Sequence, residues 1–394
     1  MSIKLSARVQ AVKPSPTLAV TARAAAMRAA GKDVIGLGAG EPDFDTPDHI
    51  KEAAIRAIHD GKTKYTPVDG TPSLKKAVVE KFQRDNGLEY ELDQILVSCG
   101  GKQSFYNLAQ AILDPGDEVV IPAPYWVSYP DMALLAGGVP VFIHAGMDQR
   151  FKIAPQQLAA AINEKTRLVV INSPSNPSGM AYTRDELAAL GSVLLEHPRV
   201  VIATDDMYEH ILWADEPFAN ILTACPELYD RTMVLNGVSK AYSMTGWRIG
   251  YAGGPADVIK AMKKIQSQST SNPTSISQYA AEAALNGPQA CIADMLKAFR
   301  ERHDYVVDRL NAMPGIECPQ SDGTFYTFPR VQGLMDAVDG VTSDVELAEH
   351  LIEHAGVALV PGSAFGTPGH ARISIATSMD NLTKALDRLE QVLG

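Results

Sequence analysis

The chain has 394 residues, of which 46% are hydrophobic and 21% charged, with a formal net charge of -11. That length supports two domains with substantial cores, and the composition excludes a disordered chain. The acidic balance argues against nucleic acid or an anionic membrane as partner, since both select a basic face, and no apolar run reaches the length of a membrane span.

Residues 1–32 carry Lys4, Arg8, Lys13, Arg23, Arg28 and Lys32 without one acid, a superficial likeness to a transit peptide, and lack the apolar core of a signal peptide. The segment runs through Pro14 and Pro16 into an alanine-rich helix and the first motif, so it reads as integral to the fold. Val34-Ile35-Gly36-Leu37 predicts a strand. Thr46-Pro47 opens a helix in which Ile50, Ala54 and Ile58 recur at helical spacing and which Gly61 ends. Residues 95–98, 118–121, 168–171, 200–203 and 232–235 are short, β-branched and non-alternating, as strands buried on both faces are. Thr183-Arg184-Asp185-Glu186 predicts a capping box opening a helix with Leu187, Leu190 and Leu194. The outline is an α/β fold with a large, doubly wound, mostly parallel sheet. From about residue 290 the pattern changes to a long charged helix, a strand around residues 323–328 and a second capping box at Ser343-Asp344-Val345-Glu346. Strands at 357–362 and 372–376 and a final helix over 379–393 complete a smaller α+β domain. The expected boundaries are 1–45 for an N-terminal arm and the first part of the small domain, 46–290 for the large domain, and 291–394 for the rest of the small one.

Chemistry-bearing residues gather at the ends of the expected strands, where α/β folds bind ligands. Lys240 follows the strand at 232–235, with Arg248 eight residues on. As a nucleophile it needs a neutral amine, which burial or a cationic neighbour favours; a solvated loop lysine is the plain alternative. Ser98-Cys99-Gly100-Gly101-Lys102-Gln103 joins a strand to a helix whose first amides can hold a phosphate. It is not a P-loop, because Gln103 replaces the required Ser or Thr. Gly36-Leu37-Gly38-Ala39-Gly40-Glu41 fails the dinucleotide fingerprint at Glu41, and a structural turn explains its glycines equally well. Asn172-Ser173-Pro174-Ser175-Asn176-Pro177-Ser178-Gly179 predicts a rigid turn with an asparagine amide at its tip. Asp205 and Asp206 end another strand on opposite faces of the pleat, with Tyr208 one turn later, so one acid faces the crevice. No His or Glu cluster at ligand spacing accompanies them, so no metal is expected, and Cys99, Cys225, Cys291 and Cys318 form no C-x-x-C pair. A reducing, cytoplasmic setting fits such cysteines. A lysine, a carboxylate and a phosphate site at successive strand ends make one chemical proposal. Pyridoxal 5'-phosphate needs a Schiff-base lysine, an acid for its pyridinium nitrogen and donors for its phosphate.

With these motifs the chain resembles the class I aminotransferases of pyridoxal-phosphate fold type I, in the bacterial aspartate aminotransferase branch, subgroup Ib. The resemblance runs from Val12-Lys13-Pro14-Ser15-Pro16-Thr17 through Gly40-Glu41-Pro42-Asp43-Phe44, Tyr65-Thr66-Pro67, Pro124-Tyr125-Trp126, 172–179 and 239–250 to Arg372. It implies that Lys240 carries the cofactor and moves the substrate's α proton, and it selects Asp205 over Asp206 as the pyridinium partner. It implies Tyr208 and Asn176 on the phenolic oxygen, Trp126 on the ring, and Gly101, the Lys102 backbone and Arg248 on the phosphate. Tyr65 would reach in from a second subunit, so a homodimer with shared sites is implied. Arg372 would grip the substrate α-carboxylate, with Gly40 closing the site. The related Ia branch places an arginine where this chain has Ser267; in Ib the lysine matching Lys102 takes the distal carboxylate, with Ser15 and Thr17 nearby. The implied reaction moves the amino group of L-aspartate to 2-oxoglutarate in a ping-pong cycle. Thr17 together with Lys102 also resembles enzymes that transaminate prephenate or aromatic substrates. A C-S lyase on the same fold and a catalytically silent regulator are the other readings; the latter is disfavoured because every chemical residue is present and no DNA-binding extension is read ahead of Val12.

Overall fold

The computed structural model describes residues 3–393. Met1, Ser2 and Gly394, at the ends of the expected outer segments, lie outside the described residues. Seven strands form the main sheet: β1 Ile95–Ser98, β2 Glu118–Ala123, β3 Val139–His144, β4 Thr166–Asn172, β5 Val201–Asp205, β6 Thr232–Gly237 and β7 Gly250–Gly253. Their spatial order is β1-β7-β6-β5-β4-β2-β3. Neighbours run parallel from β6 through β5, β4 and β2 to β3, whereas β7 is antiparallel to both β1 and β6.

The sequence predicts five of these strands and misses β3 and β7. β3 lies at the sheet edge, where Val139 and Phe142 are exposed and Pro140 is tolerated, so it lacks the signature of a buried run. β7 reads Gly-Tyr-Ala-Gly, a composition of low strand propensity. Close packing explains its glycines: a Cβ on Gly250 would stand 2.2 Å from Gly101 N. Because β7 runs backwards, its amino-terminal end lies beside the carboxyl ends of β1 and β6, with Gly250 opposite Ser98 and Gly237. Arg248 therefore joins the same edge as Lys240.

Both faces of the sheet are covered, which is why its central strands do not alternate. Val97, Val120, Val169, Ile202 and Val234 face one core, and Leu96, Val119, Leu168, Ala203 and Met233 face the other. Against the first packs the helix Asp48–His59 through Ile50, Ala54 and Ala57. Ile58 does not belong to that stripe: it is 52% exposed, because one residue past Ala57 lies about 100° further round the helix. Thr183 and Glu186 form the expected reciprocal cap. Ser343 caps Glu346 N–H, but the Glu346 carboxylate accepts from Thr342 instead of closing the box. The helix at the glycine pair runs from Gly101 to Ile112, so the second glycine of the pair is its first residue.

A further core collects Ile35 and Leu37 with Phe299, Val306, Leu310, Phe325, Ile373 and Leu386. Strand Ile35–Gly36 pairs in parallel with Val357–Ala358, so the N-terminal segment packs with the C-terminal one. Beside them, Val360–Pro361, Ala371–Ser374 and Tyr326–Thr327 form an antiparallel sheet. Tyr208 and Ile211, just after β5, insert into this core and join it to the main sheet.

Behind the strand edge lies a buried charge network. Lys81 pairs with Glu209; Asn86 accepts from Lys81 at 2.8 Å and donates to Glu209 at 2.7 Å, and Asn236 donates to Glu209 at 2.7 Å. Burial alone would raise the Glu209 carboxyl, but Lys81, His210 and the Asn86 amide outweigh it and hold it below the ordinary range. Its contribution to stability is therefore present above the usual carboxylate range and is lost as pH falls. The network ties the residue after Tyr208 to the end of β6, fixing the loops that carry Tyr208 and Lys240.

Candidate active site

The carboxyl edge of the sheet opens into a cavity of about 400 Å³. Of the residues expected in a site, Ser15, Thr17, Gly40, Gly101, Lys102, Trp126, Asn176, Asp205, Tyr208, Lys240, Arg248 and Arg372 all line it. Tyr65 does not; it is 92% exposed. Ser267 is exposed at the end of helix Ala256–Ser267.

Lys240 follows β6 on a loop pinned to residues 40–46: Thr46 Oγ1 donates to Ser243 O at 2.6 Å and accepts from Trp247 Nε1 at 2.9 Å. Its Nζ donates to the Gly40 carbonyl. Burial lowers the amine to about 8, with Arg372 and then Arg248 adding to the effect and Glu41 and Asp205 opposing it. At pH 7 roughly one amine in ten is then neutral, against fewer than about one in a thousand for an ordinary lysine.

Asp205 ends β5 and turns into the cavity, while Asp206 turns away to Thr204 Oγ1 at 2.6 Å and Asn220 Nδ2 at 3.0 Å. Burial pushes Asp206 up to about 7. Asp205 is fixed from three sides. Tyr129 Oη donates to Oδ2 at 2.5 Å, Met207 N–H to Oδ1 at 3.3 Å, and Asn172 Nδ2 to the backbone oxygen at 2.9 Å. Burial raises its carboxyl, and Tyr129, the Met207 amide and Lys240 pull it back.

An anion corner forms where β1 passes into helix Gly101–Ile112, whose first amides have no intrahelical partner. Gly100 has φ of +89°, and a Cβ there would stand 2.2 Å from Arg248 Nη2. Arg248 itself has φ of 58°, a left-handed conformation that a non-glycine residue rarely adopts. Its guanidinium donates to Thr245 O at 2.8 Å and Cys99 O at 3.2 Å, which aims it across the helix start.

Arg372 is 2% exposed, sandwiched between Tyr326 and Phe365 with its Cζ 4.3 Å and 5.0 Å from their ring centroids. Nη1 donates to Asn176 Oδ1 at 2.9 Å and Nη2 to Gly38 O at 2.8 Å, while Nε is buried without a partner. One hydrogen of each Nη stays free, the fork that fits a carboxylate. In the same cavity the Lys102 ammonium stands 5.2 Å from the Trp126 ring centroid, and burial and Arg248 hold its proton affinity below the ordinary value. Ser15 Oγ accepts from Leu18 N–H at 3.5 Å as the cap of helix Pro16–Ala29, which projects Thr17 into the cavity.

Sequence reasoning misses Tyr129 and Tyr326, both in the cavity wall. Tyr129 lies one helical turn beyond Trp126, a spacing that could have found it. Tyr326 carries no comparable local signal. Asp85, Glu209 and His210 place ligand-type atoms within 4.8 Å of one another, the one such group among the described residues. The Lys81 ammonium seated on Glu209 already occupies the charge there.

The profile of the family described as aminotransferase class I and II matches residues 32–389. An aspartate/prephenate aminotransferase of Nitrosomonas europaea is 60% identical over 396 residues, spanning 99% of this chain and all of the relative. An aspartate aminotransferase of Geobacillus stearothermophilus is 51% identical, with 99% of each chain covered. Among solved structures, the aspartate aminotransferase of Rhizobium meliloti superposes with a TM-score of 0.95 at 50% identity, covering 100% of this chain and 99% of that one. The enzyme of Thermus thermophilus, solved with maleate, gives 0.94 at 44% identity over the whole of both chains. A match of this extent, on a chain whose lysine, carboxylate and arginines meet in one cavity, makes the protein a member of the aminotransferase class I and II family.

Proposed function

We propose that the protein transfers the amino group of L-aspartate to 2-oxoglutarate, giving oxaloacetate and L-glutamate, with pyridoxal 5'-phosphate as cofactor. The observation that carries this reading is the meeting of Lys240, Asp205, Arg248 and Arg372 in one cavity. The residues fit the cofactor. Gly101, the Lys102 amide and Arg248 offer donors for its phosphate, Asp205 a carboxylate for its ring nitrogen, Trp126 a ring face, and Tyr208 and the Asn176 amide donors for its phenolic oxygen. The glycine at position 100 leaves the Arg248 guanidinium room beside that corner. When bound, the cofactor supplies an electron-withdrawing ring that accepts the pair left on the substrate's α carbon.

The chain does the rest. Arg372 holds the α-carboxylate with its free Nη hydrogens, already oriented by Asn176 and Gly38. Lys240 Nζ takes the proton from the substrate's α carbon and would pass it on to the cofactor's side instead of back, its lowered proton affinity suiting both uptake and release near neutral pH. Lys102 and Thr17 line the same cavity as Arg372, and a second cation and a hydroxyl there support a dicarboxylic amino acid as substrate. The maleate named with the Thermus thermophilus enzyme is a dicarboxylate too.

A panel of amino acids tests the substrate. Aspartate and glutamate are expected to discharge the visible band of the bound cofactor, and Lys102→Ala to raise KM for aspartate by about tenfold or more while leaving alanine nearly unaffected. A strong reaction with alanine and none with aspartate would overturn the role given to Lys102. Keto acid released without an added amino acceptor would mark a lyase instead. The same cavity, lined by both Thr17 and Lys102, supports a second substrate of the prephenate type, as the Nitrosomonas europaea relative's name states for that enzyme.

A homodimer and a cytoplasmic location belong to this reading. Tyr65, at 92% exposure, and the exposed Ile55 and Ile58 support a partner surface. Among the described residues no helix is long and apolar enough to cross a membrane. Sedimentation is expected to give twice the 42.3 kDa chain mass; a monomer with full activity would refute the shared site.

A further inference from the structure

Two hydroxyls in the cavity wall touch each other: Tyr208 Oη, after β5, lies 3.0 Å from Tyr326 Oη, with both side chains buried. Tyr326 sits on the strand that pairs with the one bearing Arg372, Ser374 being opposite Tyr326. One ring thus joins two parts of the site. Its face carries the Arg372 guanidinium, and its hydroxyl meets the tyrosine 5.9 Å from whose ring centroid the Lys240 amine stands. The hydroxyl also explains Gly40, since a Cβ there would lie 3.1 Å from it.

A phenol has one proton to donate and two lone pairs to accept with. Between two touching phenols only one proton fits, so the other is directed elsewhere. Burial raises both phenols, Tyr208 well above the ordinary value, and Arg372 opposes the rise in each. With the Arg372 guanidinium stacked 4.3 Å from its own ring centroid, the Tyr326 phenol is the more polarised and the better donor of the pair. Donation from Tyr326 saturates one lone pair of Tyr208 and leaves the Tyr208 proton facing the cavity.

We propose that Tyr326 is a positioning residue: its hydroxyl donates to Tyr208 Oη and dedicates the Tyr208 proton to the acceptor in the cavity, while its ring keeps Arg372 in place for the carboxylate. This rests on the reading of the cavity as a pyridoxal-phosphate site, with the phenolic oxygen as that acceptor. The two functions of the side chain are separable by substitution.

In the holoenzyme, Tyr326→Phe keeps the ring and removes the hydroxyl. KM for aspartate is expected to stay within about threefold and kcat to fall about tenfold. The pH midpoint of the bound cofactor's visible band should rise by about half a unit or more, because a hydrogen bond that favours the deprotonated form is no longer directed. Tyr326→Leu, which removes the ring as well, is expected to raise KM about tenfold further. In a Tyr208→Phe background, Tyr326→Phe should change kcat by less than about twofold, since the residue it acts through is gone. An unmoved midpoint in Tyr326→Phe overturns the proposal, and so does a full additional loss in the Tyr208→Phe background. Melting curves of each variant, with cofactor stoichiometry, separate these outcomes from loss of fold. Failure of the cofactor reading itself would look different: the unsubstituted protein would take up pyridoxal phosphate without a visible band dependent on Lys240.

Discussion

Lys240→Ala is expected to lower turnover by about five orders of magnitude and to abolish the lysine-dependent visible band, while an inert dicarboxylate still binds through Arg372. Two features of the apoprotein sharpen the test. Its amine titrates near 8, so the rate of combination with pyridoxal phosphate should climb about tenfold per pH unit up to that point and then level off. The second feature is stability. Between about 8 and the ordinary lysine value of 10.5 the unfolded chain holds a proton that the native chain lacks, so native stability rises with pH across that window. Below it both states are protonated, and the native state bears the cost of a buried charge between Arg372 and Arg248. Apo Lys240→Met is therefore expected to melt above the apo wild type at pH 7, with the gap shrinking above pH 9. A variant that melts lower at pH 7, with turnover retained, would return Lys240 to an ordinary surface lysine.

Where both faces of a strand are buried, the sequence carries a readable signal, and β1, β2, β4, β5 and β6 are legible for that reason. β3 and β7 are not. One owes its place to an edge that tolerates Pro140, the other to glycine backbone packed against Gly101. The candidate site follows the same division. Lys240, Asp205 and Asn176 follow the ends of legible strands, so the fold outline brings them together before any contact is known, whereas Arg248 reaches that edge through β7, which the sequence misses. Arg372 depends on the resemblance, because its partners Asn176 and Gly38 lie far away in the chain. Tyr326 meets Tyr208 across 118 positions, a pairing that no local period encodes. The same distance hides the Lys81, Asn86 and Glu209 network, which stabilises loops whose chemistry is obvious while being invisible itself. The direction of Asp205 and Asp206 lies between these cases. The pleat separates the two acids, but only Tyr129 on one side and Asn220 on the other identify which faces the cavity.

That distinction leads to the second large effect. Asp205→Asn preserves shape but removes the charge that would hold a proton on the cofactor's ring nitrogen, and kcat is expected to fall by about three orders of magnitude. Asp206→Asn, whose partners Thr204 and Asn220 lie away from the cavity, should alter stability far more than kcat. Tyr129→Phe grades the same effect. Its hydroxyl, 2.5 Å from Oδ2, is the largest influence holding the Asp205 carboxyl down against burial, so its removal moves the carboxyl further up. The ionised form is then lost at a higher pH as acid is added. The acid limb of the kcat/KM profile should shift upward, with kcat at pH 8 reduced no more than about tenfold. The sign of the shift follows from what the hydroxyl does: burial raises the carboxyl, and Tyr129, ahead of the Met207 amide and Lys240, opposes it. A profile that moves toward lower pH in Tyr129→Phe, or an Asp206→Asn variant as inactive as Asp205→Asn, would mean that the wrong carboxylate has been assigned to the ring nitrogen.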